Sequence, residues 1–81
     1  MKKNKYIRVL KDGFVSMDKA QNILVVQTVS GMAMAVAAAI DAMKLKEIVG
    51  SIAGDDTIMI AVRTTEETET AMGKIRSVLE E

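Results

Sequence analysis

The chain contains no cysteine, no histidine, no tryptophan and no proline. Without cysteine there is neither a disulfide framework nor a thiolate zinc site. Without histidine the commonest general base and the commonest metal ligand are both gone. The aromatics are Tyr6 and Phe14, too isolated to stack nucleic-acid bases. Net charge is also lacking: 11 basic residues stand against 11 acidic ones. A strongly basic field for nucleic acid is therefore absent. No apolar run approaches the roughly 20 residues of a membrane span. The start, Met1-Lys2-Lys3-Asn4-Lys5, is basic, but no apolar signal core follows it. These absences leave a cytoplasmic, membrane-free protein as the default.

What is present is aliphatic. The 81 residues make one domain at most. Hydrophobic residues are 49% of the chain, nearly all Ala, Val, Ile, Leu and Met. That is more apolar material than a small two-layer monomer hides, which favours an oligomer. Six of the seven methionines fall at helical or strand positions, where core filling is their usual role.

Residues 1–13 are polar and basic, with Lys2, Lys3, Lys5, Arg8 and Lys11, and read as a solvated tail or linker. Phe14 to Asp18 reads as a short strand, followed by a turn at Lys19-Ala20-Gln21-Asn22. Ile23 to Val29 is a strand rich in branched residues. Ser30 suits a helix N-cap, and the helix runs to about Lys44. Ile48 to Ala53 and Thr57 to Val62 form a hairpin, with Gly54 allowing the bend. Thr64 and Glu67 make a capping box for a second helix reaching Leu79, whose buried stripe is Ala71, Met72, Ile75, Val78 and Leu79. The order β-β-α-β-β-α predicts an α+β two-layer sandwich. Its four-stranded, mainly antiparallel sheet carries two helices on one face.

Two features point beyond a monomer. Ile23-Leu24-Val25-Val26 and Ile58-Met59-Ile60-Ala61-Val62 do not alternate with polar residues, so both faces of the sheet read as buried. The helix from Met32 to Met43 is apolar nearly all round, as expected of a helix covered on more than one side. Its one charge is Asp41, which falls on the side of Met34, Ala37 and Ala38. An unpaired buried carboxylate is costly, so Asp41 is either exposed near the helix end or paired with a cation.

The hairpin tip carries the adjacent carboxylates Asp55 and Asp56. Asp at a turn is usually solvated turn chemistry. Between strands that read as covered, the pair instead wants a cation: a guanidinium, an ammonium or a metal. A Gly-Asp-Asp hairpin also occurs in nucleotidyl-transfer sites that hold magnesium, but the only supporting carboxylate is Asp18. With no His, no Cys and no Gly-rich phosphate loop, an enzyme is disfavoured. A structural oligomerisation module with an ordinary acidic turn stays open on residue chemistry alone.

The segment Gly50-Ser51-Ile52-Ala53-Gly54-Asp55-Asp56-Thr57-Ile58 resembles the Gly-Thr-Ile-Ala-Gly-Asp-Asp-Thr-Ile signature of the C-terminal domain of bacterial arginine repressors. Ala20-Gln21-Asn22-Ile23-Leu24-Val25-Val26 and Arg63-Thr64 add to the resemblance, which covers about residues 14–81. It implies a β-β-α-β-β-α domain that forms trimers, stacked in pairs as a hexamer. L-arginine, the corepressor, would bind between the trimers, with no other cofactor and no metal. It further implies that residues 14–81 are the arginine-binding oligomerisation domain. Residues 1–13 would be a linker remnant or flexible tail. Operator DNA would be bound by an N-terminal winged helix-turn-helix domain absent from this chain. The function implied is control of arginine synthesis and breakdown genes, not enzymatic. By position, Asp55 and Asp56 match the carboxylates that hold the guanidinium and amino groups. Ser51 and Ala53 match the strand end lining the pocket, and Asp41 an acidic helix position near the ligand. Met34 departs from the family, which often has Gln there; a thioether offers no amide donor or acceptor.

Overall fold

The computed structural model describes residues 2–81, with side chains from Lys5 onward. Four short segments pair into one sheet: β1 (Phe14–Ala20), β2 (Ile23–Thr28), β3 (Ile48–Ala53) and β4 (Thr57–Val62). Their order across the sheet is β1-β2-β4-β3, and every neighbouring pair is antiparallel. β1 turns into β2 at Gln21 and Asn22, with Gln21 in the left-handed region at φ 56°. Asn22 Nδ2 then donates to the Val62 carbonyl at 3.1 Å, tying this hairpin to β4. β3 is an edge strand and is bulged at Val49, between Ile48 and Gly50.

Three helices accompany the sheet: α1 (Lys2–Gly13), α2 (Ala33–Ala42) and α3 (Thr65–Leu79). Ala33, Val36, Ala39 and Ile40 of α2 are buried at helical spacing, as are Thr68, Ala71, Met72 and Ile75 of α3. They meet Leu24, Val26, Ile58, Ile60 and Val62 on one face of the sheet. The α+β two-layer sandwich is thus the observed architecture. The α3 start is as the sequence implies: Thr64 Oγ1 accepts from the Glu67 N–H at 3.0 Å. α2 ends at Ala42, short of Lys44, which takes φ 56° and so leaves the helix.

Two expectations are corrected. Residues 2–13 are not a solvated tail but helix α1, packed on α2 and reaching α3. Leu10 is only 1% exposed and joins the core, with Val9 packed against it. Burying a Leu side chain contributes roughly 1.5–3 kcal/mol, enough to hold a short helix against fraying. α1 also covers one side of α2, so part of the apolar surface assigned to another subunit is hidden by this chain itself. Its last residue approaches α2 so closely that a Cβ on Gly13 would stand 2.5 Å from Val36 Cγ2.

Second, β2 and β4 are not buried on both faces within the chain. Their burial alternates: Leu24, Val26, Ile58, Ile60 and Val62 point inward, while Val25 and Met59 lie on the open face. The pattern looked two-faced because that open face is itself apolar. Gly54 sits in the turn between β3 and β4, as expected, without a left-handed conformation. Gly31 takes that conformation, at φ +82°, in the loop before α2. No described helix is long and apolar enough to cross a membrane.

Candidate functional site

The acidic turn is fixed by main-chain hydrogen bonds to the β2–α2 loop. The Asp55 carbonyl accepts from Gly31 N–H at 3.1 Å and from Ala33 N–H at 3.2 Å. The Asp56 carbonyl accepts from Thr28 N–H at 2.7 Å, and Gly54 N–H donates to the Thr57 carbonyl at 2.8 Å. Asp55 therefore satisfies donors at the start of α2, the part expected of Ser30. Ser30 is not the cap; α2 has Met32 at that position, with no side-chain bond. The Ser30 hydroxyl instead donates to Asp55 Oδ2 at 3.0 Å. The physical reason is competition: a carbonyl held by the sheet reaches the helix start first and leaves the serine free for the carboxylate.

Both carboxylates are exposed. Asp56 Oδ1 accepts from Thr57 Oγ1 at 2.9 Å, and Gln27 Oε1 stands 3.3 Å from the same hydroxyl. A carboxylate has about four lone-pair sites, so each Asp keeps capacity for an incoming donor. The positive end of the α2 dipole lies beneath the turn and favours charge of this sign there.

The other predicted residues spread along the seam between α2 and β3. Met34, in the first turn of α2, is 73% exposed. Ser51 is exposed on β3, and Ala53 is half-buried where β3 enters the turn. Asp41 is exposed near the end of α2 in the single chain. It lies seven residues from Met34, about 10 Å along the helix. A hollow of about 220 Å³ lies beside it, lined also by Lys44, Leu45, Val49 and Gly50. Asp55, Asp56 and Met34 do not line that hollow. The chain thus brings the Asp pair, Ala53 and the α2 start together and leaves Asp41 two turns away.

The open face of the sheet begins at the same turn. A trough of about 530 Å³ is lined by Ile23, Gly50, Ile52, Thr57, Met59 and Ala61, among others. Ile52 is 80% exposed and Met59 is 53% exposed. Thr57 and Gln27 border both the trough's strands and the acidic turn; sequence reading passed over them because neither is unusual in a strand.

Two ion pairs lie elsewhere. Glu47 is 2% exposed and accepts from Lys74 Nζ at 2.7 Å, which pulls its carboxyl below the usual glutamate range. Glu69, 2.6 Å from Lys19 Nζ, is lowered for the same reason. Asp18 sits on β1, with β2 between it and β4, and accepts from the neighbouring Lys19 N–H at 2.8 Å. It does not join Asp55 and Asp56. Among the described residues no three carboxylates gather as a metal site.

Comparison with known proteins bears on this geometry directly. Residues 10–77 match the family model described as arginine repressor, C-terminal domain. An arginine repressor of Lachnoclostridium phytofermentans is 64% identical over 75 residues, covering 93% of this chain and 49% of that protein. One of Lachnospira eligens is 64% identical over 76 residues, covering 94% and 50%. One of Bacillus pumilus is 43% identical over 76 residues, covering 94% and 51%. The chain spans about half the length of the curated relatives it matches. The family is one of transcription regulators, not of enzymes. With the acidic turn, the antiparallel sheet and the family model all falling on the same residues, this chain belongs to the arginine repressor C-terminal domain family.

Proposed function

We propose that this domain senses L-arginine and self-associates within a cytoplasmic repressor of arginine-metabolism genes. Trimers stack in pairs as a hexamer, and arginine binds between the trimers as corepressor. Operator DNA is met by an N-terminal winged helix-turn-helix domain of the complete protein, and residues before Phe14 lead from it. The observation that carries this reading is the Asp55–Asp56 pair. Two exposed carboxylates are held on a rigid turn, at the rim of an apolar face, in a chain of this family.

The physics is that of a charged interface. Bringing several copies of the turn together crowds like charges and raises the cost of assembly. A guanidinium fork and an ammonium on one small molecule neutralise carboxylates from more than one subunit. Arginine then favours the larger assembly by mass action, because it binds that state better. Asp55 and Asp56 take the charged groups; Ser51, Ala53 and Met34 line the approach; Asp41, two turns away, contacts the ligand from a neighbouring copy.

A second reading is a structural assembly module with weak or altered amino-acid binding. The exposed thioether of Met34 favours it, since it offers the ligand no strong hydrogen bond. Calorimetric titration with L-arginine, with L-lysine as control, decides between them. Saturable arginine binding that Asp55→Asn or Asp56→Asn abolishes, while trimers persist, supports sensing. A folded oligomer that releases no heat with arginine supports the structural module.

A further inference from the structure

We infer that Ser30 and Thr57 are positioning residues that clamp Asp55 and Asp56, so that each carboxylate offers one fixed, free oxygen to its ligand. The inference rests on the proposed arginine site and concerns how that site attains its geometry.

The main chain of the turn is already held at Thr28, Gly31, Ala33 and Gly54. What remains free is the rotation of two short side chains. Each is taken up by a hydroxyl from a different element. Ser30 Oγ, in the β2–α2 loop, holds Asp55 Oδ2 at 3.0 Å. Thr57 Oγ1, at the start of β4, holds Asp56 Oδ1 at 2.9 Å. The other oxygen of each carboxylate has no hydrogen-bond partner among the described residues.

Thr57 is itself fixed. A hydroxyl has one proton, and the shorter, charge-assisted bond to Asp56 takes it. Gln27 Oε1 stands 3.3 Å away, directly across β2 and β4; with the amide in its alternative orientation the nitrogen would donate to the hydroxyl and complete the chain. Gln27 lies on the open sheet face, so the relay Gln27–Thr57–Asp56 joins that face to the site. Ser30 is available because the Asp55 carbonyl, not the serine, serves the start of α2.

A guanidinium needs acceptors in a set plane, whereas an ammonium accepts almost any approach. The clamp therefore matters more for arginine than for lysine. Calorimetry on the full chain with Ser30→Ala and Thr57→Val tests this. Each variant is expected to weaken arginine binding about 2- to 10-fold, the worth of one hydrogen bond. Each should also narrow the preference for arginine over lysine, and Ser30→Thr and Thr57→Ser should restore both. A merely structural role would lower thermal stability without changing that preference. A wild-type chain that binds arginine, with both variants equal to it in affinity and preference, overturns the inference.

A ligand-free measurement separates the clamp from the site reading. Side-chain NMR couplings of Asp55 and Asp56 should report one χ1 rotamer in the wild type, with averaging of Asp55 in Ser30→Ala and of Asp56 in Thr57→Val. Averaged couplings in the wild type refute the clamp even if arginine binds. Single rotamers in a chain that ignores arginine refute the ligand and leave the clamp standing.

Discussion

Leu10→Ala tests whether α1 is part of the domain or an appended tail. Leu10 is 1% exposed and belongs to the core cluster with Val36, Ala39 and Ile40. Leu→Ala at such sites costs about 2–5 kcal/mol, and the spread follows how far neighbours close the gap. Here they can close it in part. Leu10 borders a hollow of about 300 Å³ lined by Tyr6, Ile7, Met43 and Val78, whose side chains have room to shift. The lower half of the range applies, about 2–3 kcal/mol. In a domain of this size each kcal/mol moves the melting temperature by about 4–8 °C, so a fall on the order of 10–20 °C is expected. Circular dichroism melts at one fixed protomer concentration give the number, since self-association would otherwise shift it. Lys5→Ala, at an exposed position of the same helix, is the control and should change little. A Leu10→Ala melt within about 2 °C of wild type, below 0.5 kcal/mol by the same conversion, would refute the packing of α1.

Two further outcomes follow from particular contacts. Thr64→Ala removes the hydroxyl that accepts from Glu67 N–H and should cost about 1 kcal/mol in urea denaturation, with Thr64→Ser losing far less. Acidification should destabilise the chain through Glu47, whose folded carboxyl is lowered by the Lys74 hydrogen bond from an ordinary value of 4.5. Its stabilisation is present above the ordinary value, because the unfolded chain then gains no extra proton. It is lost as pH falls from there through the lowered folded value, since the unfolded state binds the proton first. Glu47→Gln should flatten part of that acid slope in melts between neutral and acidic pH, and the Glu69–Lys19 pair leaves the remainder.

The sequence carried the strands well because branched residues and turn signals mark them locally. β3 and β4 occupy the expected residues, and α3 starts at its capping box. α1 was hidden by charge. Tyr6, Ile7, Leu10 and Phe14 recur at helical spacing, yet Lys2, Lys3, Lys5, Arg8 and Lys11 dominate the composition of that stretch. A short apolar stripe becomes a helix only against a partner, and the all-round apolar surface of α2 points equally to a partner from another subunit. The same reasoning explains β2 and β4: apolar residues on an open face look the same in sequence as residues on a buried one. At the site, the Asp pair was legible from its motif. The Ser30–Asp55 and Gln27–Thr57 contacts were not, because each joins residues that only the folded sheet and loop bring together. Ser30 before a helix obeys the cap rule equally well, and a distant carbonyl decided the matter.

Sedimentation velocity at low micromolar protein, with and without L-arginine and with L-lysine as control, tests the sensing role most directly. The expected result is a trimer that becomes a hexamer with arginine alone, and that stays a trimer when Asp55 or Asp56 is replaced by Asn. An assembly of constant size that ignores arginine would contradict it.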